Sequence, residues 1–179
     1  MEDILIHVDE QDNFLGYIGK TEAHLEAVKH RAFSIFVFND KQEMLIQKRA
    51  LDKYHTPGLW SNSCCSHPRY GENLTSAVHR RLPEEMGFDT ELFHVHEMSY
   101  RVEFDNGITE NEYDHVYIGF YQGQPHINPA EVNSYKWISR SNLLQDMDRH
   151  PEKYTFWFKK IMSEFDFNKA IELLKNDEI

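Results

Sequence analysis

The chain has 179 residues, 40% of them apolar and 27% charged, enough for one well-buried core and too few for two. A formal net charge of -11 argues against a general nucleic-acid surface, which needs a basic face, and disfavours anionic substrates unless cations gather locally or metal ions bridge the gap. The longest apolar runs fall far short of the roughly 20 residues that span a bilayer, and MEDILIHVDEQ lacks a basic start and a cleavable apolar region, so a cytoplasmic protein with neither membrane nor nucleic-acid partners is expected.

In chain order, DILIHV, the polar turn DEQDN and FLGYIG read as two strands and their connection. AFSIFVF and EMLIQKRA, joined by NDKQ, add two more and predict a hairpin-rich sheet. From Leu74 to Met86, apolar residues recur every four positions at Leu74, Val78, Leu82 and Met86, Asn73 can cap the start, and Gly87 suits the stop. That pattern predicts a helix. Pro83 lies within it, removes one backbone hydrogen bond and predicts a bend. Beyond it, FHVHEMSYRVEF and ITENEYDHVYIGFY flank DNG, a strong hairpin signal, and SYKWI gives a last strand before SRSNLLQDMDRH. A long amphipathic helix is expected over roughly 152–176. No repeat or linker divides the chain, so one domain over 1–179 is expected. Strands and a few helices without βαβ alternation imply an α+β fold, a mixed sheet covered by helices.

The chemistry concentrates in three places. NSCCSHPRYGE holds both cysteines as neighbours, where a disulfide would close a strained small ring, so Cys64 and Cys65 are expected as thiols. They also lack the C-x2-C spacing of structural zinc sites. In ITENEYDHVYIGF, alternation puts Glu110, Glu112 and Asp114 on one face with Ile108, Val116, Ile118 and Phe120. Either these acids meet a metal, a cation or a shared proton, or the strand end projects into water. His67, held extended by Pro68, offers an imidazole donor, and His24 and His30 are further candidates among eleven histidines. Imidazole with carboxylate suits zinc, manganese or iron. His94 and His96 share a face by the same alternation and read as surface residues. Lys48, Arg49 and Lys53 near one strand end, with Arg69, Arg80 and Arg81 around the loop and helix, are what a diphosphate would require in an acidic protein.

The pattern Ser66-x5-Glu72-x7-Arg80-Arg81-Leu82-x-Glu84-Glu85-x-Gly87-Phe88 resembles the Nudix box, a loop-helix-loop that holds Mg²⁺ for diphosphate chemistry. Ser66 stands where glycine is usual, and Arg81 where a metal-binding glutamate is usual. HRAFSIFVFN, PGLWSNSCCSHP and GITENEYDHV together resemble the type 1 isopentenyl-diphosphate isomerase family, the Nudix-fold branch that moves a double bond instead of cleaving a diphosphate. The likeness spans most of residues 16–120 and is looser beyond, around YTFWF.

The resemblance implies a Nudix fold, a mixed sheet sandwiched between helices, and interconversion of isopentenyl and dimethylallyl diphosphate in isoprenoid biosynthesis. It implies Cys65 and Glu112 as the proton-transfer pair, with Tyr100 assisting Glu112. His24, His30, His67, Glu110 and Glu112 would hold Mn²⁺, Zn²⁺ or Mg²⁺, while Glu85 and the main-chain carbonyl of Cys65 hold Mg²⁺ bound with the diphosphate. Arg49, Lys53, Arg69 and Arg81 would grip the diphosphate, and Trp157 would face the reacting carbons; because a carbocation would alkylate water, the site should be dry, and the long C-terminal helix carrying Trp157 is expected to form part of a lid. No flavin is implied. The alternative is a metal-dependent Nudix diphosphate hydrolase. The residue types suit isomerisation: a thiol and a carboxylate can flank a five-carbon chain, one adding a proton and the other removing one, while an indole face steadies a tertiary cation.

Overall fold

The computed structural model describes residues 3–53 and 55–176. Strands β1 (Ile4–Val8) and β2 (Phe14–Gly19) pair antiparallel around a turn whose amides, from Gln11 and Asn13, donate to the Asp9 carboxylate. A short helix, α1 (Lys20–Leu25), follows directly, an element that the sequence reading lacks. Strand β3 (His30–Phe38) is the spine of the sheet. Eight of its nine residues are buried, as a strand covered on both faces requires. Strand β4 (Glu43–Arg49) turns back from it, and the short β5 (Trp60–Ser61) and β6 (Cys64–Ser66) line up on β4 and β3.

Helix α2 (Leu74–Met86) has the expected ends. The Asn73 side chain accepts from the Ser76 amide at 2.8 Å, and Gly87 adopts φ 75 at the stop. Only glycine fits there, because a Cβ would come within 2.2 Å of the His126 carbonyl. The helix stays continuous through Pro83, whose own carbonyl accepts from the Gly87 amide.

Strands β7 (Leu92–Glu103) and β8 (Thr109–Phe120) form the hairpin signalled by DNG. Strand β8 also runs parallel to β3 in an unbroken register from His30↔Glu112 to Phe38↔Phe120, which makes the sheet mixed. Strand β9 (Val132–Ser139) completes it on β4. In β7 the register shifts between His94 and His96, so His94 lies opposite Tyr117 and Glu97 opposite His115. The extra residue reverses the parity. His94 and His96 therefore do not share a face: His96 turns away and stacks on Phe165, with ring centroids 5.1 Å apart.

The expected single C-terminal helix is two. A 3₁₀ turn over Pro151–Lys153 precedes α4 (Phe156–Glu164), and Phe165, in extended conformation, separates it from α5 (Phe167–Lys175), which Asp166 caps through the Lys169 amide. The break lets Phe165 and Phe167 meet edge to face. Together with α3 (Arg140–Arg149), these helices cover one face of the sheet, where Phe36, Phe38, Ile46, Val116 and Ile118 meet Phe158, Ile161 and Phe167. Helix α2 covers the other, where Phe33, Ile35, Val37 and Leu45 meet Val78, Leu82 and Met86. Among the described residues no helix is long and apolar enough to cross a membrane.

Candidate active site

The parity of β8 drives its acids inward: Glu110, Glu112 and Asp114 are all buried, so the solvated alternative does not hold. His24 comes from α1, His30 from the start of β3, and His67 from the loop after β6. With Glu110 they place one ligand atom each within 4.8 Å of one another. Glu112 adjoins them, with Oε1 2.7 Å from His67 Nε2 and 3.5 Å from His30 Nε2.

The tautomers are set from behind. His24 Nδ1 donates to the Lys20 carbonyl at 2.5 Å and His30 Nδ1 to the Val28 carbonyl at 2.9 Å. Each ring therefore turns its Nε2 toward the carboxylates, at 3.1 Å and 3.7 Å from Glu110 Oε2. The His30 Nε2 is buried without a hydrogen-bond partner. A lone pair facing two carboxylates is repulsive unless a cation lies between them. Three imidazoles and two carboxylates thus fit a divalent metal, and thiolates are absent from the set.

Burial raises the Glu112 carboxyl and the Glu110 charge adds to this, but the adjoining His30 and His67 imidazoles prevail and hold it below the usual range. The Tyr100 hydroxyl donates to the other Glu112 oxygen. Burial is also the main cause that pushes His67 down to about 4, so its ring is neutral.

The cavity beside this cluster has a volume of about 160 Å³. Cys65 lines it, and burial pushes its thiol up to about 12 against the pull of Arg49. Cys64 points the other way, into the α2 side of the core. Lys20, Arg49, Lys53 and Arg81 bring positive charge to the same cavity. Glu131 pairs with Lys53 and lies 3.3 Å from Arg81. Glu85, beneath them, accepts from Arg81 and, at 2.8 Å, from the Gln47 amide. Trp157 forms a wall, its Nε1 donating to Ser61 Oγ at 3.0 Å and the Arg49 guanidinium lying 5.5 Å from its ring. Its neighbours Phe158 and Ile161 are fully buried, so α4 is part of the core and not a loose flap.

Of the cations singled out, Lys48, Arg69 and Arg80 stand apart from this constellation: Arg69 pairs with Asp3 at 2.9 Å, Arg80 pairs with Glu72 at 2.7 Å, and none of the three lines the cavity. His55, Lys20, Gln47 and Glu131 do line it and escaped the sequence reading. Lys20 lacked a usable signal, since α1, on which it lies, spans only 6 residues. His55 had none, being one histidine in a turn.

The NUDIX domain family matches residues 28–158, which sets the class of protein. Solved structures agree on the fold: DR0079 from Deinococcus radiodurans has a TM-score of 0.69 at 20% identity, covering 82% of this chain and 90% of that one. A MutT protein from Methanosarcina mazei has a TM-score of 0.65 at 18% identity, covering 79% and 95%. Sequence likeness is more specific. The isopentenyl-diphosphate Delta-isomerase 2 of Photorhabdus laumondii is 49% identical over 96% of this chain and 97% of its own length. The isopentenyl-diphosphate Delta-isomerase of Serratia proteamaculans is 44% identical over 94% of each. The chain belongs to the isopentenyl-diphosphate Delta-isomerase family of Nudix proteins.

Proposed function

We infer that the chain is an isomerase that interconverts isopentenyl diphosphate and dimethylallyl diphosphate. The observation that carries this reading is a single cavity lined by a neutral thiol, Cys65, and by an ionised carboxylate, Glu112. Moving the double bond requires a proton added at the terminal methylene carbon and another removed from the carbon nearer the diphosphate. One acid and one base on the two sides of a five-carbon chain meet that need. The reaction runs both ways, so each group gives up a proton in one direction and takes one in the other. Tyr100, hydrogen-bonded to Glu112, steadies the carboxylate as it changes charge. The Trp157 ring, already close to the Arg49 cation, offers a π face to the tertiary carbocation.

Lys20, Arg49, Lys53 and Arg81 suit the diphosphate, and Arg81 in place of the usual Nudix glutamate favours gripping the anion over hydrolysing it. Arg69 has no part in this grip. His24, His30, His67, Glu110 and Glu112 would hold Mn²⁺, Zn²⁺ or Mg²⁺, and Glu85 with the Cys65 carbonyl would hold Mg²⁺ accompanying the substrate. When bound, these ions supply positive charge that tunes the acidity of Glu112 and neutralises the diphosphate. The small-molecule diphosphate is the one partner the site calls for.

The deciding experiment incubates the protein with isopentenyl diphosphate and Mg²⁺ in D₂O and follows proton and phosphorus NMR, with Cys65→Ala alongside. Deuterium-labelled dimethylallyl diphosphate with the diphosphate intact, and no turnover by the variant, is expected. Release of phosphate or pyrophosphate would replace this reading with that of a hydrolase.

A further inference from the structure

On the opposite side of the β7–β8 hairpin from Cys65, three donor atoms converge that the isomerisation does not use. His115 Nδ1 lies 3.2 Å from His94 Nε2. Glu97 Oε1 lies 3.5 Å from the first and 3.6 Å from the second. A tetrahedral Zn²⁺ with bonds of about 2.0–2.2 Å separates its ligand atoms by about 3.3–3.6 Å. The three gaps in this triangle match one face of that tetrahedron.

The orientation is fixed from outside. His115 Nε2 donates to Asp12 Oδ2 at 2.9 Å, which leaves the lone pair on Nδ1, facing His94. Asp12 is itself held by Arg31, whose Nε donates to its other oxygen at 2.7 Å. The Tyr113 hydroxyl donates to Glu97 Oε2 at 2.6 Å, which leaves Oε1 for the triangle. Carboxylate behind imidazole and hydroxyl behind carboxylate is the outer shell that orients metal ligands. His115 is buried, whereas His94 and Glu97 remain about two-fifths exposed, so an ion can enter and keep a fourth position for water.

The β7 bulge is what assembles the set. In a regular strand His94 and Glu97 would lie on opposite faces; the extra residue brings both over His115. We propose that His94, Glu97 and His115 form a second divalent-metal site, selective for zinc-like ions that accept two imidazoles and a carboxylate. The ion pins β7 to β8, and through Asp12 it also ties the β1–β2 turn to that hairpin. Magnesium, which demands oxygen ligands, is excluded by two nitrogens out of three.

The test uses the full chain dialysed against Zn²⁺ and counts bound zinc by emission spectrometry, beside His94→Ala and Glu97→Gln. Both variants alter exposed side chains and should isomerise at the wild-type rate in Mg²⁺ buffer. The wild type should bind one more zinc per chain than either variant, and the imidazole NMR signals of His94 and His115 should shift together as that equivalent is added. Equal zinc in all three proteins, or shifts confined to His24, His30 and His67, would overturn the proposal.

Discussion

His55 brings its Nε2 to 2.9 Å from Oε1 of Glu110, while His24 approaches the other oxygen of the same carboxylate. The His55 ring is stacked on Phe104, with centroids 5.5 Å apart and planes at 10°, which fixes its direction. Burial, the largest influence, pushes Glu110 up, yet the two histidines against its oxygens hold it well below its usual range. Glu110 is thereby aimed at His24 and His30.

Replacing His55 with Ala removes one of those holds and leaves a buried carboxylate oxygen short of a partner. Affinity for the ion at the histidine cluster should fall about 10-fold or more, as losses of outer partners do. A chelator competition series on wild type, His55→Ala and His55→Gln measures it, with Gln recovering part of the loss. Equal affinities would remove His55 from the support of the site.

Glu131 occupies two of the cations proposed to grip the diphosphate, Lys53 and Arg81. Glu131→Gln should free them and tighten pyrophosphate binding about 5-fold, the equivalent of about 1 kcal/mol for a partly exposed pair. Calorimetric titration with pyrophosphate and Mg²⁺ provides the comparison; weaker binding would mean that Glu131 positions the cations instead of masking them.

Trp157→Phe keeps an aromatic wall but loses the hydrogen bond to Ser61 and the stronger indole face. Turnover should drop about 10-fold, the equivalent of about 1.4 kcal/mol of cation stabilisation, with little change in melting temperature. Ser61→Ala should cost less, since it removes the bond and leaves the indole. A Ser61→Ala loss as large as that of Trp157→Phe would show that orientation alone matters.

Arg80 forks onto Glu72 with bonds of 2.7 and 2.8 Å and is the main cause holding that carboxyl below its usual range. A depressed carboxylate adds stability above its unfolded value of about 4.3 and loses it as the pH falls through the folded one. The melting temperature of Glu72→Gln should therefore lie below wild type at neutral pH, and the gap should close as the pH falls below the ordinary carboxylate range. Parallel melting curves across that range would count against the linkage.

Periodicity made the frame legible. The alternation of β8 predicted which face its acids take, and Asn73 and Gly87 marked the ends of α2 to the residue. What escaped was non-local. Nothing near His55 signals that Glu110 lies beside it, and α1 is too short for its pattern to stand out. Alternation also misled at His94 and His96, because a bulge is an insertion relative to the partner strand and leaves no mark in its own. The split at Phe165 was hidden because the apolar spacing continues across it; the signal was Asp166, a capping residue read as part of a longer helix.

Strand β3 carries the Cys65 thiol on one edge, through Ser34↔Cys65, and the Glu112 carboxylate on the other, through His30↔Glu112. His30 and Ser34 are four apart, so both partners point to the same face. Cys64 pairs with Ile35, one step out of phase, and is sealed in the α2 side of the core. Two adjacent cysteines therefore provide no redundancy. If Cys65 is lost, its neighbour cannot stand in without a one-residue slip of β6, and that slip would invert Ser66 and the approach to His67 as well.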